Sequence, residues 1–338
     1  HDIIRTWLFS TVVRSELEVG RLPWSDAAIS GFVVDPDRKK MSKSKGNATT
    51  PLPYLEAHGA DSVRYWAASG RLGTDTALDE GQMKVGRRLA IKILNASKFV
   101  VGRLGGAEGT GGTAPDHGPV VQPIDRDLLR RLGGVVEEAT AALSDYDHAK
   151  ALEVTERFFW AFCDDYLELA KRRSGGEPDD PAAASARATL SLALSVQLRL
   201  FAPFLPYVTE EVWSWWREGS VHLAAWPDAG AELAAVVYGG TAGTDGDGTT
   251  ARRAAWGAAP VLDATADVLA AVRKEKTAHK RSLRARVSRL TVVDQPERLD
   301  HLRSAMQDLV DAGGIDPEGI VLSEGASPSV EILLGGDA

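Results

Sequence analysis

Lys40-Met41-Ser42-Lys43-Ser44-Lys45-Gly46-Asn47 stands just after the β-branched run Ile29 to Val34 and the turn Asp35-Pro36-Asp37. That order predicts a strand, a turn and then an exposed loop. The loop carries three lysine ammonium groups and two hydroxyls and ends in glycine. Such a loop can neutralise a polyphosphate. Cations placed where charge builds on a departing pyrophosphate raise the rate, because they bind the transition state more tightly than the ground state. Lysine suits this as a movable point charge. The plain alternative is a solvated basic run.

Upstream of the loop, Ile4, Trp7, Leu8, Val12 and Ser15 recur at helical spacing after Asp2, predicting an amphipathic helix over residues 2–17 with Asp2 as its N-cap. On spacing alone, Trp7 belongs to a core stripe. Downstream, a helix through Leu55 stops at His58-Gly59, and Asp61 reads as the cap of another that carries Val63, Tyr65, Trp66 and Ala67. Longer helical periods follow at Gln82–Leu104, Ile124–Ser144, His148–Arg173 and Pro181–Leu200, with a short one at Thr209–Trp216. Four long helices joined by Gly/Pro breaks imply a bundle. The runs 105–122 and 239–250 read as flexible spacers. Beyond them Val261–His279 and Arg298–Asp311 read as helices, and Val287–Val293, Gly319–Leu322 and Val330–Leu334 as strands.

The chain has 338 residues, 44% hydrophobic and 25% charged, which excludes wholesale disorder and implies more than one domain. One cysteine, Cys163, excludes an internal disulfide, and no Cys/His cluster offers a structural metal. Set between Phe162 and Tyr166, Cys163 reads as a buried small hydrophobe. No apolar stretch reaches the roughly 18–20 residues of a membrane span, so a reducing, cytoplasmic setting without membrane partners is expected. Net charge is −8, from 39 cationic and 47 acidic residues. Three basic islands stand out against it. Residues 38–45 hold five cations and no acid, residues 84–103 hold six and no acid, and Arg273–Arg289 holds eight against Glu275. Such islands in an acidic chain suggest selective contact with a polyanion.

The octapeptide 40–47 resembles the signature loop of class I aminoacyl-tRNA synthetases. His1-Asp2-Ile3-Ile4-Arg5-Thr6-Trp7-Leu8-Phe9 is similar to the segment ahead of that loop in valyl-type enzymes, and Gly59-Ala60-Asp61-Ser62-Val63-Arg64 to the helix after it. Residues 201–213 (FAPFLPYVTEEVW) resemble a motif of the anticodon-binding helices. Arg87-Arg88 through Lys92, Asn95-Ala96-Ser97-Lys98-Phe99 and Arg273-Lys274-Glu275-Lys276 look most like the valyl type, with isoleucyl and leucyl types as near relatives.

The resemblance implies activation of valine by ATP with Mg2+, then transfer to tRNA-Val. By matching positions, Lys43 would stabilise the pyrophosphate, assisted by Lys40 and Ser42. Met41, Ser44 and Asp2 would complete the ATP site, and Trp7 would wall the amino-acid pocket. Arg87, Arg88, Lys92, Asn95, Lys98, Lys276 and Arg284 would meet the tRNA; a solvated helix face is their plain alternative. Trp213, Trp215 and Trp216 could stack on bases, but spacing three puts Trp213 and Trp216 in the bundle.

Two features depart from the family. The turn Asp35-Pro36-Asp37-Arg38-Lys39 lacks a glycine that relatives often have. No His-x-Gly-His motif and no editing domain occur in these residues, and the chain opens on His1. The expectation is therefore a monomeric C-terminal piece of a longer enzyme, inactive alone. Its expected fold is mainly α: a Rossmann-like strip with the loop (1–47), a stem-contact region (48–85), an anticodon-binding bundle (86–230), a flexible linker (231–254) and a small α/β unit (255–338). The rival readings are an isoleucyl-type piece and a non-catalytic RNA-binding module.

Overall fold

The computed structural model describes residues 1–42, 44, 46–47, 49–105, 119–238 and 256–335. A π-turn over Ile4–Leu8 runs into α1 (Phe9–Val19), which ends at the left-handed Gly20. The expected core stripe does not form here. Neither segment buries a residue, and Trp7 is 55% exposed, with its indole stacked on Trp24 at 5.2 Å. Strand β1 (Val33–Val34) pairs in parallel with β2 (Thr76–Ala77), so the predicted strand shortens to its end. Between them lie α2 (Leu52–His58) and α3 (Ala60–Ala68).

The bundle is built from α4 (Glu80–Arg103), α5 (Pro123–Ser144), α6 (His148–Ala161) and α8 (Pro181–Phe201). Helix α6 continues through a π-turn, Phe162–Tyr166, into α7 (Leu167–Ala170), so the predicted helix over 148–173 is one rod with altered winding. Helix α8 is apolar nearly all round and is buried along most of its length, as a central helix must be. The predicted Cys163 is buried, and desolvation pushes its thiol up to about 12. At Gly86 a Cβ would lie 2.6 Å from that of Tyr65, so glycine lets α3 and α4 close up.

Helix α9 (Pro206–Ser214) follows, then a π-turn (Ala229–Leu233) and α10 (Ala234–Tyr238). Residues 231–238 are not a linker: Leu233, Ala234 and Val237 are buried. The border set at 85/86 falls inside α4. At the other spacer, Val120 is buried and the Val121 and Gln122 amides donate to Ser185 Oγ, so this end is docked. Residues 106–118 of the first spacer and all of the second, 239–250, lie outside the described residues.

The C-terminal unit opens with α11 (Pro260–Ala278) and a sheet ordered β4-β3-β5, from β3 (Val287–Asp294), β4 (Ile320–Glu324) and β5 (Ser329–Leu334). Strand β3 runs parallel to β4 and antiparallel to β5. The predicted helix 298–311 is two, α12 (Pro296–Ser304) and α13 (Met306–Gly313), broken at Ala305. The apolar core is continuous from Tyr65 to Ile315, so this unit docks on the bundle rather than hanging from it.

Buried aspartates make the joints. Helices α9 and α11 start with Pro at N1 and have no local side-chain cap. Asp61 of α3 accepts the Tyr207 and Val208 amides (3.1 and 2.8 Å), capping α9 rather than its own helix as the sequence suggests. Asp127 of α5 accepts Val261 N and Leu262 N (2.6 and 3.2 Å), capping α11. Burial raises both carboxyls above their usual range, against the pull of these amides. Arg173, beyond α7, bridges Asp125 of α5 and Asp308 of α13 with its guanidinium at 2.7–3.1 Å from four carboxylate oxygens.

Candidate functional site

The loop after β1 is held by two side chains. Asp35, at the strand end, accepts the Lys39 amide (2.8 Å) and Asn47 Nδ2 (2.9 Å). Asn47 Oδ1 in turn accepts the Ser42 amide (2.9 Å), so one amide closes the loop onto the strand. The Asn47 bond, then the Lys39 amide, holds the Asp35 carboxyl below its usual range. Sequence reading passed over both residues. Their signal was an Asp and an Asn twelve apart bracketing the basic run.

Asp2 and Lys40, both expected at the ATP site, meet directly: Lys40 Nζ donates to Asp2 Oδ2 at 2.5 Å and lies 4.1 Å from the Phe32 ring centroid. This donation holds the Asp2 carboxyl below its usual range. Asp2 makes no N-cap bond, contrary to its local reading. Ser42 and Ser44 share a hydroxyl bond at 2.7 Å, and Met41 is half-buried. Lys43 and Lys45 lie outside the described residues. Trp7 belongs to the same N-terminal segment as Asp2.

Arg38 holds φ = 61°, the left-handed region that favours glycine. Arg38→Gly is expected to relieve the turn by about 0.5–1 kcal/mol. Amide exchange at Asp35 and Lys39 should slow by roughly two- to fivefold; unchanged exchange would mean that the turn carries no strain.

A second surface lies along α4. Lys84, Arg88, Asn95 and Lys98 share one exposed stripe, since their spacing follows the helical turn. Lys84, Arg88 and Lys98 have no carboxylate partner among the described residues. Arg87 is also exposed and donates to Ala57 O at 3.0 Å. Lys92 is committed differently, paired with Asp164 at 3.1 Å and 5.5 Å from the Trp160 ring centroid.

Lys92 also lines a cleft of about 730 Å³ between the α6–α7 rod and the C-terminal unit, with Arg273, Lys276 and the exposed Arg284. Here the structure overturns one assignment. Lys276 is 1% exposed and donates to Leu283 O (2.9 Å) and Gly313 O (2.6 Å), clamping the loop that carries Arg284. Burial, then the neighbouring Arg273, lowers its pKa. An ammonium enclosed by main-chain carbonyls does not reach a ligand. Trp213 and Trp216 pack together in the bundle, their centroids 6.4 Å apart, as their spacing predicts.

Residues 1–79 match the family model of tRNA synthetases class I (I, L, M and V), and residues 125–288 that of the anticodon-binding domain of tRNA ligase. This chain belongs to the class I tRNA synthetases. It is 56% identical over 314 residues to a valine–tRNA ligase of Thermobifida fusca, covering 93% of this chain and 33% of that protein. To the valine–tRNA ligase of Salinispora tropica it is 51% identical over 336 residues, covering 99% and 38%. The chain thus spans about a third of the length of these curated relatives. Among solved structures it is similar to the LeuRS of Agrobacterium radiobacter K84, in a ternary complex with tRNA and LeuAMS. The TM-score is 0.53 at 21% identity, covering 67% of this chain and 27% of that one, a likeness of fold.

Within this chain the class I match encloses the whole Asp35–Asn47 clamp, and the anticodon-domain match begins at Asp125, the carboxylate bridged by Arg173. It ends at Ser288, inside β3, so the sheet of the C-terminal unit is largely outside it. Among the described residues no helix is long and apolar enough to cross a membrane.

Proposed function

We propose that this chain is the signature-loop and tRNA-holding part of a valine–tRNA ligase. The carrying observation is 56% identity to such a ligase over 93% of the chain, alongside a basic loop pinned at the end of a parallel strand pair. In the first step the valine carboxylate attacks the α-phosphorus of ATP, and the bond to the β-phosphate breaks to release pyrophosphate. In the second, the terminal ribose of tRNA-Val takes the valyl group and AMP leaves. Lys43, Lys40 and Ser42 neutralise the departing pyrophosphate, and Met41, Ser44 and Asp2 border the nucleotide. Mg2+ arrives with ATP as part of the substrate. Lys40 must exchange its Asp2 partner for phosphate, which the exposure of both side chains permits. Trp7 walls the valine pocket.

The tRNA lies along Arg87, Arg88, Asn95 and Lys98, reaching Lys92 and Arg284 at the cleft. Catalytic strip (1–47), stem-contact region (48–79), bundle (80–238) and C-terminal unit (256–335) divide the labour. One buried thiol suits the cytoplasm, and the chain acts as a monomer.

The test is binding to tRNA-Val, tRNA-Ile and an unrelated tRNA across a salt series, with ATP–pyrophosphate exchange assayed alongside. Preference for tRNA-Val that survives moderate salt, without exchange by this chain alone, is expected. Preference for tRNA-Ile would move the chain to the isoleucyl type, equal binding that collapses with salt would leave only nonspecific attraction, and exchange would mean that these residues hold a complete ATP site.

A further inference from the structure

The α4 stripe is interrupted at its centre. Between the cations at 87–88 and Asn95 stands Ile91, 48% exposed, and beside it on α9 stands Tyr207, 66% exposed. Both border a groove of about 270 Å³, with Arg87, Ala90, Leu94 and Glu211. One exposed apolar side chain is ordinary, but here two share the border of one groove, and an aromatic ring this exposed gains little from packing. Its backbone is nevertheless fixed, because Asp61 holds the Tyr207 amide at 3.1 Å. The Arg87 guanidinium, anchored on Ala57 O, is fixed on the facing wall. Two acids also line the groove: Asp61, whose carboxylate is taken up by the α9 amides, and Glu211, which accepts the Trp215 indole N–H at 3.1 Å.

We infer that Tyr207 and Ile91 form a stacking step for an unpaired base of the bound RNA, framed by Arg87, Arg88, Lys84 and Lys98 on its phosphates. This deepens the tRNA reading above and rests on it. An exposed ring across a groove from a helix that carries a row of cations is the combination that single-stranded nucleotides recognise: π-faces stack whatever the base, while the cations track the backbone. Charge complementarity selects RNA over an apolar protein segment as the occupant.

The test measures affinity of this chain for a tRNA-Val transcript from low to moderate salt, for wild type, Tyr207→Phe, Tyr207→Leu, Tyr207→Ala and Arg88→Gln. The Tyr207 side chain is exposed, so the fold is not at stake, and far-ultraviolet circular dichroism checks this. Tyr207→Phe should bind as wild type. Tyr207→Leu and Tyr207→Ala should lose roughly tenfold to a hundredfold with the salt slope unchanged. Arg88→Gln should instead lower the slope by about 1. Wild-type affinity in Tyr207→Ala would overturn the stacking step. So would full retention by Tyr207→Leu, which would show an apolar contact, or a slope change in Tyr207→Ala, which would show a ring that only places cations. If Arg88→Gln alters neither affinity nor slope, the tRNA reading of this face fails first, and the stacking step falls with it.

Discussion

Arg173→Met should cost about 3–5 kcal/mol of unfolding free energy, the loss expected when one partner of a buried ion network is removed. Among the described residues Arg173 is the sole cation bonded to Asp125, which is fully buried, and it also serves Asp308. Burial alone would lower the arginine's pKa, but its bonds to Asp125 and Asp308 outweigh this and hold it raised. Without it, two carboxylates face each other in the interior. Asp125 keeps the Tyr166 hydroxyl (2.7 Å) and Ser185 Oγ (2.6 Å), which are too weak to compensate a full charge. A chain with Asp125→Asn, Arg173→Met and Asp308→Leu together should regain much of the loss, because no charge remains buried, the amide oxygen still accepts from Tyr166, and the amide NH2 that replaces the other carboxylate oxygen can donate to Ser185 Oγ. Urea unfolding followed by tryptophan fluorescence separates the two. A loss under 1 kcal/mol for the single change would show that water reaches the network.

The largest effect on binding is expected from the combined change Lys84→Gln, Arg88→Gln and Lys98→Gln. Each of these cations lacks a carboxylate partner among the described residues, so its removal disturbs no ion pair. If each neutralises one phosphate, the salt slope should fall by roughly 2–3 and affinity at 0.1 M salt by about a hundredfold or more. The same three changes should leave the unfolding midpoint unmoved, since surface substitutions away from buried features shift stability by about 0.5 kcal/mol or less. Nitrocellulose-filter binding at several salt concentrations reads both numbers. A slope equal to wild type would mean that the RNA lies on another face.

The bundle was legible because helical period and Gly/Pro breaks are local signals, and α4, α5 and α8 begin and end within a few residues of their predicted positions. The basic loop was legible as chemistry for the same reason: its cations and hydroxyls are consecutive. What escaped was long-range. Asp61 and Asp2 look like caps of the helices they precede, yet one caps α9 and the other pairs with Lys40. Lys276 sits in a basic run and reads as a surface cation, but its partners Leu283 and Gly313 are main-chain carbonyls of two other segments, which no spacing discloses. Trp7 shows the converse error. Its period with Ile4 and Leu8 is helical, but Trp24 alone stacks on its ring among the described residues, and it stays 55% exposed.

The borrowed caps also set an order of events on the ribosome. Asp61 is made 146 residues before the Tyr207 amide it receives, and Asp127 precedes Val261 by 134. Because chains fold from the N-terminus as they emerge, α9 and α11 each leave the tunnel toward a carboxylate already in place. A chain started after Asp127 would make α11 with bare leading amides, and one with the two halves exchanged would have to wait for its caps.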